Sequence, residues 1–283
     1  MTKRRPTLRA QWLGKMLREL REQNELKLTD AAEYLQRSYS AISKFESGAL
    51  PVREPEVLAL MDLYGVEGAN QRRALVQLAR EISQTGWWEK YSADMIDWFV
   101  DYVWLESRAR HIRTFEAVPI NGLLQTRAYA EAWVRAVTPH ASATQVERWV
   151  EIRMSRQEIL ASPTAVQLEV LLDESALRRP VGGTEVLRGQ LRHLLTVLER
   201  PNVAVRVLPF AVGAHSSPDG GFTLLQLEDP FPLIAYTVGV AGGVYVEAGD
   251  AEQTAALYDR LDKVCLSAED SAAMIAAVER ETE

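Results

Sequence analysis

The chain of 283 residues has a single cysteine, Cys265, and only four histidines. One thiol excludes an internal disulfide framework, and so few Cys and His leave too few ligands for a structural zinc site. No apolar run approaches the roughly 20 residues needed to cross a bilayer. The opening Met1-Thr2-Lys3-Arg4-Arg5-Pro6 is basic but lacks the apolar stretch of a secretory signal. There is no internal repeat and no low-complexity tract. A reducing cytoplasm, with no membrane partner, is the expected setting. What is present is a composition of 47% apolar and 25% charged residues, which suits a globular chain with a real core. The length favours two domains.

Charge is unevenly shared. The net charge is -7, yet residues 1–53 hold 11 Lys and Arg against 6 Asp and Glu, and the remainder carries -12. A basic head on an acidic body points to a local anionic partner, or to no more than a solvated basic face.

The apolar spacing divides the chain in two. Trp12, Met16, Leu17 and Leu20 fall at helical spacing; Ala31, Ala32 and Leu35 continue in a second helix, and Ile42 and Phe45 in a third. Val57 to Leu63 form a fourth helix stopped by Gly65, and Ala69 to Ile82 a fifth broken at Thr85-Gly86. Residues 8–84 are therefore expected to be an all-α domain. Residues 85–283 read as a mixed body, giving an α+β chain with a small sheet at its C-terminal end. Helices are expected over Trp87–Arg110, Leu123–Val137, Thr144–Leu160, Thr184–Leu198, Ala251–Val264 and Ala268–Glu281. Period-two alternation marks strands near Val166–Leu172, Val203–Val207, Phe222–Leu227 and Leu233–Val240, with Tyr245-Val246 as a short last one.

The most informative stretch runs from Leu28 to Gly48. Small Ala32 lets two helices approach, Leu35 and Ile42 fall where they share a core, Ser38 can cap the third helix, and Gly48 can end it. Two helices held this way expose the opening of the second to a major groove, unless they are an ordinary hairpin within a core. Residues 8–66 resemble the Cro/C1-type (Xre) helix-turn-helix of bacterial and phage regulators, above all in the pattern Ser-x-Ser-x-Ile-Ser-Lys-x-Glu-x-Gly over residues 38–48. The resemblance implies double-stranded DNA as partner. It places Tyr39, Ser40, Ser43 and Lys44 at base edges or nearby phosphates, with Lys27 and Arg37 beside them and Ile42, Phe45 and Glu46 structural. Three positions depart from the family. The usual turn glycine is Gln36, the usual Ser/Thr cap of the second helix is Lys27 (a loss of about 1 kcal/mol), and Ala49 and Leu50 stand where relatives carry cations. Specific binding is then expected to be weak for a monomer, and a homodimer would add a second half-site.

A second resemblance covers Trp87 to Glu279. Its blocks are Gly122-Leu123-Leu124-Gln125-Thr126 with Tyr129-Ala130, then Arg153 and Arg156-Gln157, and Leu172-Asp173-Glu174. Leu177 to Gly183, Gln190-Leu191, Asn202-Val203, Leu208-Pro209-Phe210, Gly213-Ala214-His215 and Phe222 follow in order. Together they resemble actinobacterial helix-turn-helix regulators whose C-terminal domain, catalogued as of unknown function, was later labelled antitoxin-like. The resemblance implies a regulator, often encoded beside a small partner protein that binds it. It leaves open an antitoxin-type protein that masks this partner and autoregulates through its head. Asn121 replaces the usual Pro before the Gly-Leu-Leu-Gln-Thr block, which is expected to loosen that loop.

Catalytic readings are weaker. His215-Ser216-Ser217-Pro218-Asp219 puts a base, nucleophiles and a carboxylate on one loop, where neighbours rarely align as a triad. Glu169 with Asp173-Glu174 could be paired carboxylates, but the favoured reading is that Asp173 or Ser175 caps the next turn and Glu169 faces solvent. Arg153 and Arg156, three apart on one helix, could hold an anion or partner, or else pair with Glu151 or the Asp173-Glu174 turn. Gly182-Gly183 and Gly242-Gly243 lack the flanks of a phosphate loop. Cys265 reads as packing, and Trp87, Trp88, Trp98, Phe99, Tyr102 and Trp104 as core or contact aromatics. No enzyme activity and no cofactor are expected.

Overall fold

The computed structural model describes residues 6–83, 88, 91, 95–161, 164–240 and 242–282. The expected break at Thr85-Gly86 and the position of Trp87 lie outside these residues. The chain forms two compact units, residues 1–104 with 229–231 and residues 105–228 with 232–283.

The first unit is helical: α1 (Leu8–Gln23), α2 (Leu28–Tyr34), α3 (Tyr39–Glu46), α4 (Glu54–Leu63) and α5 (Ala69–Ser83). Leu13, Leu17, Ile42, Leu60, Met61, Leu75 and Leu78 are its fully buried centre. All five helices lie where the apolar spacing places them. Gly14 explains how closely α1 and α3 meet: a Cβ there would stand 2.5 Å from the carbonyl oxygens of Phe45 and Glu46. The division between the units falls inside α6 (Asp97–Arg108), shorter than the expected Trp87–Arg110 helix.

The second unit is built on a six-stranded sheet. Its strands are β1 (His111–Glu116), β2 (Gln167–Asp173), β3 (Val203–Leu208), β4 (Phe222–Gln226), β5 (Ile234–Gly239) and β6 (Gly242–Glu247), in the spatial order β3-β2-β1-β4-β5-β6. The first three strands are parallel and the others antiparallel to their neighbours. The parallel pairs need crossovers. These are α7 (Arg127–Val137) with α8 (Ala143–Arg156), then α9 (Glu174–Arg178) with α10 (Thr184–Val197). Phe115, Leu171, Phe222, Leu224 and Ala235 share one face and pack on Ala251, Tyr258 and Leu261 of α11 (Gly249–Asp262); α12 (Ala268–Glu281) lies against β3 and α10. The α+β class is as read from the sequence. The central β1 is the strand that reading lacked, and it gave the short α9 only as a turn.

Candidate nucleic-acid interface

Helix α3 starts because Ser38, in extended backbone, accepts the Ala41 N–H at 3.2 Å. Ile42 and Phe45 then turn inward and are buried. Three to four residues per turn therefore leave Tyr39, Ser40, Ser43, Lys44 and Ser47 on one outward face, all exposed, with Tyr39 58% accessible. At the far end of α3, the Glu46 carboxylate receives both Nε (2.6 Å) and Nη2 (2.9 Å) of Arg21, whose Nη1 donates to the Leu26 carbonyl. This buried fork fixes α3 to α1 and gives Glu46 the structural part expected of it.

The α2–α3 turn closes without glycine. Gln36 takes φ 53°, and the turn is held by Gln36 N–H to Glu33 O (3.0 Å) and Arg37 N–H to Ala32 O (2.9 Å). This pair of bonds ends a helix through a left-handed residue. Gly48 ends α3 at φ 68°, with its own N–H on Phe45 O (3.0 Å) and the Leu50 N–H on Lys44 O (3.1 Å). Lys27, at the start of α2, supplies no side-chain cap; Asp30 instead accepts the Lys27 backbone N–H at 2.7 Å.

Most arginines of this unit end on carboxylates: Arg18 on Glu22, Arg37 on Glu56, Arg72 on Asp62 and Arg80 on Glu54. Lys27, Lys44 and Arg53 are exposed and have no carboxylate partner among the described residues. Arg53 precedes α4 and lies beyond the Ser38–Gly48 pattern, in the loop that carries Ala49 and Leu50. Its signal was a lone cation closing the same loop. The six head positions thus fall on α3, on the turn before it and at the start of α2.

In the second unit Arg153 and Arg156 lie on α8 but behave differently. Arg156 is buried and forks onto Glu106, with both bonds at 2.7 Å. Arg153 is half-buried and donates to Gln125 Oε1 at 2.8 Å. The Gly122–Thr126 block is held by side-chain amides: Gln157 donates to the carbonyls of Gly122 and Gln125, and Gln190 both donates to Leu124 O and accepts from Thr126 N–H. Asn121 tightens this turn rather than loosening it: its Oδ1 accepts from Leu123 N–H (2.9 Å) and its Nδ2 donates to Glu116 (2.6 Å). Burial pushes the Glu116 carboxyl up to about 7, against the opposing hydrogen bonds of Asn121 and Thr114 and the charges of Arg153 and Arg156.

The other polar candidates have structural partners. Asp173 caps α9 through the Ser175 N–H, Glu169 meets His111, and Ser217 Oγ donates to the Gly220 carbonyl while His215 Nδ1 accepts the Ser217 N–H. Burial pushes the Cys265 thiol up to about 12, far from a reactive thiolate.

No helix among the described residues is long and apolar enough to cross a membrane. No curated protein and no solved structure matches the chain. Residues 12–75 match the family described as a helix-turn-helix domain, which indicates DNA binding in a regulatory role and covers every head position named above. Residues 99–277, well over half of the chain, match the family described as domain of unknown function DUF5753, and the chain belongs to that family.

Proposed function

We propose that the chain is a cytoplasmic, sequence-specific transcriptional regulator of the Cro/C1 (Xre) type and not an enzyme. The observation that carries this reading is the outward face of α3, where Tyr39, Ser40, Ser43 and Lys44 lie exposed on a helix locked from behind by Ile42, Phe45 and the Arg21–Glu46 fork. Lys44 can donate to guanine O6 and N7, and serines serve several bases or a phosphate. Lys27 and Arg53 supply phosphate contacts, which dominate affinity. The C-terminal body binds a partner protein or small effector, with the surface around half-buried Arg153 as candidate contact, since Arg156 is committed to Glu106. A homodimer would present two heads to two half-sites.

The excess of 12 negative charges beyond residue 53 also favours a second reading, an antitoxin-like protein that masks a small basic partner. Co-purification with the product of an adjacent small gene supports it; effector-driven release from DNA without such a partner supports the sensor.

The DNA reading is tested by titrating the full chain against a footprinted genomic site in a mobility-shift assay. Lys44→Ala is expected to weaken binding by about 1–3 kcal/mol if it reads guanine and to lower the salt slope by about 0.9 if it meets a phosphate. Unchanged affinity together with an unchanged slope contradicts the docking.

A further inference from the structure

Arg37 and Glu56 carry an inference that rests on the DNA-binding reading. Arg37 leaves the α2–α3 turn directly before the cap Ser38, beside Tyr39 and Ser40. Its guanidinium donates through Nε (3.2 Å) and Nη2 (2.8 Å) to one and the same oxygen of Glu56. The other Glu56 oxygen accepts the Arg53 backbone N–H at 3.0 Å, which ties the carboxylate to the start of α4. The anion is thus fixed and only 14% exposed, whereas the cation is 52% exposed. Two donors on one oxygen forgo the two-oxygen fork that guanidinium prefers with carboxylate or phosphate. An exposed pair of this kind is held weakly against water. The contrast is Arg21–Glu46, buried and forked over both oxygens, which cannot exchange partners.

We infer that Glu56 is an internal competitor of DNA phosphate for Arg37, so that the exchange of this pair sets how many phosphates the head engages. In the free protein Glu56 occupies the guanidinium. In the complex Glu56 still holds Arg37 for much of the time, so the guanidinium only partly engages the backbone next to the groove entered by α3, and the carboxylate repels the same phosphate. Neutralising Glu56 removes both the competitor and the repulsion, and a glutamine keeps an oxygen for the Arg53 cap.

The test uses the full chain and a fluorescent 30-base-pair duplex of arbitrary sequence, because phosphate contacts do not depend on sequence. Anisotropy is read from 25 to 200 mM NaCl. Glu56→Gln is expected to bind several-fold tighter at 50 mM and to steepen the salt slope by about 0.9, the increment of one phosphate. The gain is expected to vanish in the Arg37→Ala, Glu56→Gln double variant, whereas a general loss of negative charge would survive it. Arg37→Ala alone is expected to move the slope less than Lys44→Ala, a limb that does not depend on Glu56→Gln folding. A slope for Glu56→Gln equal to or shallower than wild type, a gain that persists without Arg37, or a larger effect of Arg37→Ala than of Lys44→Ala overturns the inference. If Lys44→Ala lowers the slope while Glu56→Gln leaves it alone, only the competition falls. If the wild type binds no duplex at 25 mM NaCl, the DNA-binding reading falls with it.

Discussion

Gln36 stands where the resembled family usually has glycine, a difference that physics can weigh. Its φ of 53° lies in the left-handed region, where a Cβ is crowded by the following carbonyl. The turn nonetheless closes through the same two hydrogen bonds a glycine would allow. Gln36→Gly should therefore stabilise the head, by about 0.5–1 kcal/mol once the extra chain entropy of glycine is set against the relief of strain. Urea unfolding of the full chain checks this, and a loss of stability contradicts it. The sequence marked the position as unusual but could not say that the backbone keeps its left-handed form. Lys27 makes a similar point, because the missing cap acceptor is offset in part by Asp30 reaching back to the Lys27 N–H.

Among the elements, the five head helices were legible because each keeps an apolar stripe at 3.6-residue spacing. The strands β2 to β5 were legible because they alternate. β1 was not, for a physical reason: in His111–Glu116 only Ile112 and Phe115 are apolar, and buried Thr114 is satisfied by hydrogen bonds to Phe222 O and Thr223 Oγ1. A strand whose burial is supported by side-chain hydrogen bonds shows no alternation. The close approach of α1 to α3 was equally hidden, since a glycine at position 14 within a helix pattern does not reveal what faces it. Gly14→Ala is expected to push α3 off α1, costing about 1–3 kcal/mol as overpacking does. Denaturant unfolding reads this directly. Unchanged stability would mean that the two helices can part at no cost. Pairs between elements, such as Arg37 with Glu56 nineteen positions later, lie beyond any local spacing rule.

At the scale of the whole molecule, one carboxyl of the second unit titrates near neutral pH. The Glu116 carboxyl is raised from 4.5 to about 7 by burial, so the folded chain keeps a proton that the unfolded chain releases. Its contribution to stability is therefore present below about pH 4.5 and is lost as pH rises through 7. Glu116→Gln should flatten the fall in stability between pH 5 and 8, and an identical profile for the variant contradicts this assignment. The charge is uneven, basic over residues 1–53 and acidic beyond them, which on the proposed reading favours nucleic acid at the head. On the proposed reading the α3 face reads base sequence, and selection of duplexes from a random pool by the purified full chain checks this. Wild type is expected to enrich a defined motif at low salt, and Lys44→Ala to lose the preference at one or two positions of it. Enrichment of no motif by the wild type, or the same motif from both proteins, contradicts the claim.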